Sequence, residues 1–271
     1  MLPEIDIFGF QLQTFGLMLA LALVSSGVLV ARRLRELGLP VDWAYEMLFF
    51  AGAGGIAGAK LWYVVEKGDL GALFSGTGLV FYGGAIGGTL AVMAWARRRG
   101  LLDARLFDMG APGLAIGYAV GRIGCQLAGD GDYGIPSDLP WAMSYPEGTV
   151  PTTDRVHPTP IYEFLIMGAV TWWLWRRRDR VRPGELIGWW AVLAGVERFL
   201  IEFIRRNDDV LGPFSLAQFV SVVMVAVGAW WLLRVRSRAQ SSSTVPSPRS
   251  SAPRKARAAA ASSSSATPTD L

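Results

Sequence analysis

Long apolar stretches, separated by short polar ones, run through most of this chain. They extend over Leu12–Val30, Trp43–Val64, Leu79–Ala96, Leu106–Leu127, Pro160–Trp175, Leu186–Ile204 and Leu216–Leu233. About 20 mostly apolar residues carry a helix across the hydrocarbon of a bilayer. The pattern therefore predicts an all-α, polytopic membrane protein with about seven transmembrane helices. Glycines and charges interrupt several spans, so their ends are fixed only to within a few residues.

The arginines test that count. Arg32, Arg33 and Arg35 follow the first span, Arg97, Arg98, Arg99 and Arg105 the third, "RRRDRVR" from Arg176 the fifth and "RVRSR" from Arg234 the seventh. The intervening connections are leaner, with Lys67, then Arg155, then Arg205 and Arg206. Cytoplasmic loops carry the excess of Lys and Arg. Seven spans then put the N-terminus outside and the C-terminus in the cytoplasm. The opening "MLPEIDIFGF" has no positive charge ahead of its apolar stretch, so the first span reads as retained, unlike a cleaved signal.

Two regions fall outside this rhythm. Asp130–Pro158, rich in Pro, Gly and Asp, makes an external loop over about 130–158, too long for a plain connector and therefore a functional candidate. From Gln240 the chain is Ser, Ala, Pro and Arg, a composition that cannot bury a core. The expected organisation is a membrane domain over 1–238 and a disordered cytoplasmic tail over 239–271. The tail's basic residues suit either solvent or anionic lipid.

Composition agrees. Of 271 residues, 52% are hydrophobic and 18% charged, against about a quarter charged in soluble domains. The net charge of +4 sits beside the apolar spans, a pattern of membrane orientation with no stripe for nucleic acid. A single cysteine excludes an internal disulfide, and no Cys/His spacing suggests zinc, so no metal or soluble cofactor is expected. Glycines recur in "AGAGGIAGAK" from Ala51 and "YGGAIGG" from Tyr82. They serve close helix packing, room for a lipid between helices, or both.

The candidate chemistry lies in charges within the spans. Asp108 and Arg122 fall in the fourth, Glu163 in the fifth, and Glu197, Arg198 and Glu202 in the sixth. Such a residue at mid-membrane costs about 2.5–3.5 kcal/mol and usually faces a cavity or a partner. Arg198 and Glu202 are one helical turn apart. Arg122 and Arg198 both sit toward the outer ends of their spans, where two guanidiniums would clamp a phosphate or carboxylate in bidentate forks. Snorkelling to the interface, or neutralising Glu197 and Glu202, is the plainer alternative. The ligand would be an anionic phospholipid headgroup, or an anionic solute if the protein is a small transporter.

These residues carry a resemblance. "GRIGCQLAGDGDYG" from Gly121 resembles the signature of the bacterial prolipoprotein diacylglyceryl transferase family. In order along the chain, "FGLMLALALV" from Phe15, "GGIAGAKLWYVV" from Gly54, "FYGGAIGG" from Phe81, "HPTPIYE" from His157, "GVERFLIEFIR" from Gly195 and "FSLAQ" from Phe214 agree with it. The resemblance implies a plasma-membrane enzyme working at the outer leaflet. Such an enzyme transfers the diacylglyceryl group of phosphatidylglycerol to the lipobox cysteine of prolipoprotein signal peptides, forming a thioether and releasing glycerol phosphate. It implies Arg122 and Arg198 as the phosphate clamp, Glu202 as the carboxylate holding Arg198, and Gly134, Tyr162, Glu163, Gly83 and Gly84 as further lipid-site residues. Partners would be phosphatidylglycerol, the signal peptide and membrane lipids.

The chain departs from the family pattern in several places. Tyr82 stands where many members have a histidine, Phe15 where many have a tyrosine, Cys125 for the signature asparagine, and Ala194 for a tyrosine. The proton acceptor for the thiol is then open among Tyr82, Asp130, Asp132, Glu163 and His157. A tyrosine with a pKa near 10 is a poor base at neutral pH, so Tyr82 suits lipid orientation better. His157 serves equally well in holding its loop. Cys125 reads chiefly as a small buried residue, since the thiol that reacts in this family belongs to the substrate. The same departures fit a paralogue that binds anionic lipid without transferring it, or that modifies another acceptor.

Overall fold

The computed structural model describes residues 2–7, 10–69, 71, 80–206 and 214–243. Two compact units are distinguished, Met1–Val235 and Arg236–Leu271. Among the described residues seven α-helices occur: α1 (Thr14–Glu36), α2 (Asp42–Lys67), α3 (Phe81–Arg98), α4 (Ala104–Ala128), α5 (Thr159–Arg177), α6 (Glu185–Ile201) and α7 (Leu216–Ser243). Each overlaps one of the expected spans. Three of them, α1, α2 and α7, are long and apolar enough to cross a membrane.

The differences lie at the ends. Leu12 and Gln13, expected to open the first span, instead end a hairpin, β1 (Glu4–Ile7) paired antiparallel with β2 (Phe10–Gln13). A second hairpin, β3 (Met143–Tyr145) with β4 (Thr152–Val156), gives the long loop regular structure. The chain is thus mostly helical but not all-α. The α6 helix gives way to a 3-10 turn over Glu202–Ile204, and α7 continues to Ser243, past the point where the tail was expected to begin. Residues 244–271 of that tail lie outside the described residues.

Small residues decide how the helices pack. Along α2 and α3, a Cβ on Gly58 would lie 2.8 Å from the Gly87 Cα, and one on Gly87 would lie 2.7 Å from the Gly58 Cα. The two backbones are therefore in contact, as small-residue interfaces allow. Gly83 and Gly84 belong to this seam: Gly83 abuts Gly58 and Trp62, and Gly84 lies against Gly55 and Ala59. On α4, Ala111, Ala115 and Ala119 are fully buried in a core completed by Met167 and Leu174 of α5 and Leu186 and Ala194 of α6. Ser26 of α1 donates to the Gly113 carbonyl at 2.7 Å.

The helix α4 is set by its ends. The Asp103 side chain accepts from the amides of Arg105 and Leu106, both at 3.0 Å, the usual N-cap arrangement. Gly129 closes the helix in the left-handed conformation, φ 59°, which glycine adopts without a steric penalty. Asp108 has partners, as expected of a charge within a span. It caps α6, accepting from the amides of Gly184 at 2.6 Å and Ile187 at 3.0 Å.

Ion pairs join helix ends into two layers. Arg178, after α5, meets Glu36 at the end of α1 at 2.8 Å, and Arg33 meets Asp179 at 2.6 Å. Arg99, after α3, meets Glu46 near the start of α2 at 2.7 Å. Arginines stack on tryptophans at this level, Arg177 over Trp173 at 4.5 Å, Arg178 over Trp175 at 4.3 Å and Arg234 over Trp230 at 4.3 Å. The ends of α4 and α6 and the start of α5 meet in a different layer, and there the candidate chemistry gathers.

Candidate active site

Four segments supply this site: the last turns of α4, the following loop Asp130–Gly134, the first turn of α5, and the end of α6. Their hub is Glu163, one turn into α5 and fully buried. Its Oε1 accepts from the Tyr118 hydroxyl at 2.8 Å. Its carboxylate lies 3.3 Å from Arg122 Nε, 3.6 Å from Arg205 Nη1 and 4.0 Å from Arg198 Nη1.

The remaining pairs close the network. Arg198 meets Glu202 one turn later at 2.8 Å, and Ser215 donates to the other Glu202 oxygen at 2.6 Å. Asp132 bridges two arginines, one oxygen on Arg122 and the other on Arg205. Each guanidinium therefore faces at least two carboxylates, so burial leaves no charge without a counter-ion, which is the costly case. Tyr118 lies one turn before Arg122 and offers its ring face to that guanidinium at 4.9 Å. Its hydroxyl also reaches Glu197 at 3.4 Å.

Burial and charge set the loop carboxyls apart. Burial alone would raise Asp132, but Arg122 and Arg205 together hold it below the ordinary aspartate range. Asp130 is pushed up, first by burial and then by the Asp132 charge beside it. Opposite environments thus separate the two carboxyls.

Gly134 holds the loop in place. It forms an isolated antiparallel bridge with Arg205, and its amide donates to the His157 carbonyl at 2.8 Å while Ile135 donates to the Ile204 carbonyl at 2.9 Å. A Cβ on Gly134 would strike the Ile204 carbonyl and come within 2.9 Å of His157 Cβ. Only a glycine lets the loop pass between α5 and the end of α6.

The other candidates stand at varying remove. Tyr162 and His157 form a separate polar group, with Tyr162 Oη 3.3 Å from His157 Nδ1 and accepting from Trp141 Nε1 at 2.7 Å. Tyr82 opens α3 half-exposed, and Gly83 and Gly84 face α2. Cys125 is buried, its sulfur 3.9 Å from Arg122 Nη1. The Cys125, Asp130 and Asp132 ligand atoms lie within 4.8 Å of one another. That spacing would admit a metal ion, but both Asp132 oxygens already face guanidiniums, whose charge opposes a cation.

Sequence reasoning missed Arg205 and Tyr118. In the sequence Arg205 reads only as a charge of a lean outer connection, yet its side chain is 6% exposed. A signal was present, since Arg205 follows Arg198 and Glu202 at helical spacing, and Tyr118 precedes Arg122 by one turn.

Apolar membrane-length helices together with a buried arginine–carboxylate site define a helical membrane protein with charged chemistry at one end of its bundle. The family model described as prolipoprotein diacylglyceryl transferase matches residues 4–234. The chain belongs to that family, and it is a transferase. Similar proteins named phosphatidylglycerol–prolipoprotein diacylglyceryl transferase come from several bacteria. The one from Gloeobacter violaceus is 30% identical over 88% of this chain and 94% of its own length. Those of Clostridium tetani and Pseudomonas fluorescens are 28% and 30% identical, over 82% and 89% of this chain and 93% and 98% of their own.

Proposed function

We propose that this chain transfers the diacylglyceryl group of phosphatidylglycerol to the lipobox cysteine of a prolipoprotein signal peptide, at the outer leaflet of a bacterial plasma membrane. The observation that carries the reading is the convergence of Arg122, Arg198 and Arg205 on one buried carboxylate, in a chain of this family. All seven helices span the bilayer, with the N-terminus outside and the C-terminus inside. This topology is supported by the arginine–tryptophan layer at the ends of α1, α3, α5 and α7, the level that carries the excess positive charge.

In the reaction, the acceptor thiolate attacks the glyceryl carbon that bears the phosphodiester. A sulfur–carbon bond forms, the carbon–oxygen bond breaks, and its electron pair leaves on the oxygen of glycerol phosphate. Arg122 and Arg198 stabilise that departing charge, fixed in place before the reaction by Glu163 and Glu202. The thiol proton goes to a loop group. Asp130 is favoured over Asp132 because its proton affinity is raised, whereas Asp132 is tied to two arginines. His157 and Tyr162 sit where the signal peptide would meet the loop, and Tyr82 orients lipid from α3.

The test is an assay with phosphatidylglycerol and a lipobox peptide, read by mass spectrometry. Arg122→Ala and Arg198→Ala each abolish the added diacylglyceryl mass while the protein still inserts and folds. Full activity in both would refute the clamp. A paralogue without transferase activity would instead fail to rescue a strain depleted of its own enzyme.

A further inference from the structure

Asp132 holds the arginines in an unusual way. Its two oxygens are divided between Arg122 and Arg205, one to each. A phosphodiester has two non-bridging oxygens carrying one negative charge, and it would bridge the same pair of guanidiniums in the same manner. Asp132 thus has the charge and the forked geometry of the lipid phosphate that the proposed function brings to this place.

Charge balance leads to the same point. Arg122, Arg198 and Arg205 are ion-paired with Asp132, Glu163 and Glu202, and Glu197 and Asp130 stand beside them, so the cluster already holds at least one carboxyl for each guanidinium. A lipid phosphate added to that set would leave a further anion without a counter-ion in a buried place, an expensive arrangement. One carboxylate has to give way. The side chains of Glu163 and Glu202 are 0% and 2% exposed. That of Asp132 is 28% exposed, and it sits on a loop, not a helix. It is the one able to move.

Arg205 is equipped to receive what replaces it. Its side chain is nearly fully buried, and the carboxylate oxygens facing its Nη1 and Nε stand at 3.6 and 3.9 Å, beyond hydrogen-bond reach. Buried guanidinium donors with no acceptor in hydrogen-bond reach are rare. An incoming phosphate, larger than a carboxylate and with more oxygens, would supply such acceptors.

We propose that Asp132 is an internal competitor of the lipid phosphate, and that phosphatidylglycerol binds by displacing it from Arg122 and Arg205, with Arg205 a phosphate ligand of the enzyme. The proposal rests on the function given above. Displacement also loosens the segment that Asp132 anchors. The carboxylate is one of two ties there, the other being the Asp132 carbonyl that accepts from the Thr159 hydroxyl, so the loop between α4 and Gly134 keeps only the backbone tie when the lipid arrives. Apparent affinity is reduced by the fraction of time Asp132 occupies its arginines.

The test uses purified full-length protein in nanodiscs, with phosphatidylglycerol diluted in phosphatidylcholine and a lipobox peptide as acceptor. Asp132→Asn lowers the KM for phosphatidylglycerol by roughly fivefold or more, the lifting of that occupancy. Arg205→Gln raises the KM, and in the double variant it cancels the gain. Soluble glycerol phosphate, tested as an inhibitor, separates the two sources of phosphate. Equal tightening by Asp132→Asn assigns the site to phosphate itself, and tightening for lipid alone assigns it to the headgroup in its leaflet. An unchanged or higher KM in Asp132→Asn overturns the exchange, while loss of activity in Arg122→Ala leaves the clamp standing. Full activity in Arg122→Ala and Arg198→Ala overturns both. Should Asp132→Asn not fold, amide exchange of the unmodified protein decides. Phosphatidylglycerol nanodiscs speed exchange at 131–133 relative to phosphatidylcholine nanodiscs, whereas equal or slower exchange overturns the proposal.

Discussion

Glu163→Gln removes one charge from the centre of the site and almost nothing else. Glutamine keeps the shape and can still accept from the Tyr118 hydroxyl, so the change isolates the carboxylate's attraction for three guanidiniums at 3.3, 3.6 and 4.0 Å. At about 4 Å and an effective dielectric near 20, each unit-charge pair is worth about 4 kcal/mol, or about 12 kcal/mol in all. Most of that is offset, because a buried carboxylate gives up several kcal/mol of hydration that a neutral amide does not. Breaking a buried pair costs about 3–5 kcal/mol in practice. For a domain of this size each kcal/mol moves the melting temperature by about 2–4 °C, so the expected fall is about 6–20 °C. The assay is thermal unfolding in detergent micelles at one scan rate, followed by intrinsic fluorescence, to which 11 tryptophans contribute. A melting temperature within about 2 °C of the parent would refute the reasoning, since Glu163 would then not be the hub that the distances describe.

Three further outcomes are expected. Asp132 has a lowered folded pKa, so its stabilisation is present above the unfolded value near 3.8 and is lost as pH falls through the folded one. Asp130 has a raised folded pKa, so it weakens the fold once pH rises through that value. Melting curves between about pH 3 and pH 8 should therefore show Asp132→Asn less stable at neutral pH, Asp130→Asn equal or more stable, and both differences shrinking in acid. Cys125→Ser keeps transferase activity within about threefold by the mass assay, because the sulfur acts as a small buried group; complete loss would give it a chemical role. Gly58→Val forces α2 from α3, costing about 1–3 kcal/mol of overpacking, visible as a lower melting temperature and less monodisperse protein on size exclusion.

The helices were readable from sequence because hydrocarbon imposes one requirement, about 20 apolar residues per crossing, that leaves a plain trace. The hairpin at the N-terminus left none, since Phe10 and Leu12 are as apolar as the residues of α1 and only backbone pairing separates them. The partners of Asp108 were hidden for a related reason. A carboxylate in an apolar span looks like a cavity residue, and its true partners, the amides of Gly184 and Ile187, belong to a different helix. In the site, Arg122, Arg198 and Glu202 stood out as charges within spans, and the Arg198–Glu202 pair followed from helical spacing. That Glu163 joins α4 to α6 did not follow, because no spacing links three separate helices. Arg205 escaped notice because it lies just past the end of a span, where an arginine ordinarily meets water.

The arginine–tryptophan layer has a consequence for depth. Along α5 the chain rises about 1.5 Å per residue, so the twelve steps from Glu163 to Trp175 cover about 18 Å. If those tryptophans mark the cytoplasmic edge of the hydrocarbon, which is about 30 Å thick, the arginine cluster stands roughly 12 Å short of the opposite edge. A phosphate gripped there, as proposed, would have left the plane of its neighbours. Either the headgroup is drawn downward as its chains splay, or the outer leaflet dips around the protein to meet it, a deformation whose cost grows with every ångström of mismatch. The thickness of the surrounding bilayer would then enter the reaction directly, as a mechanical load on the donor lipid.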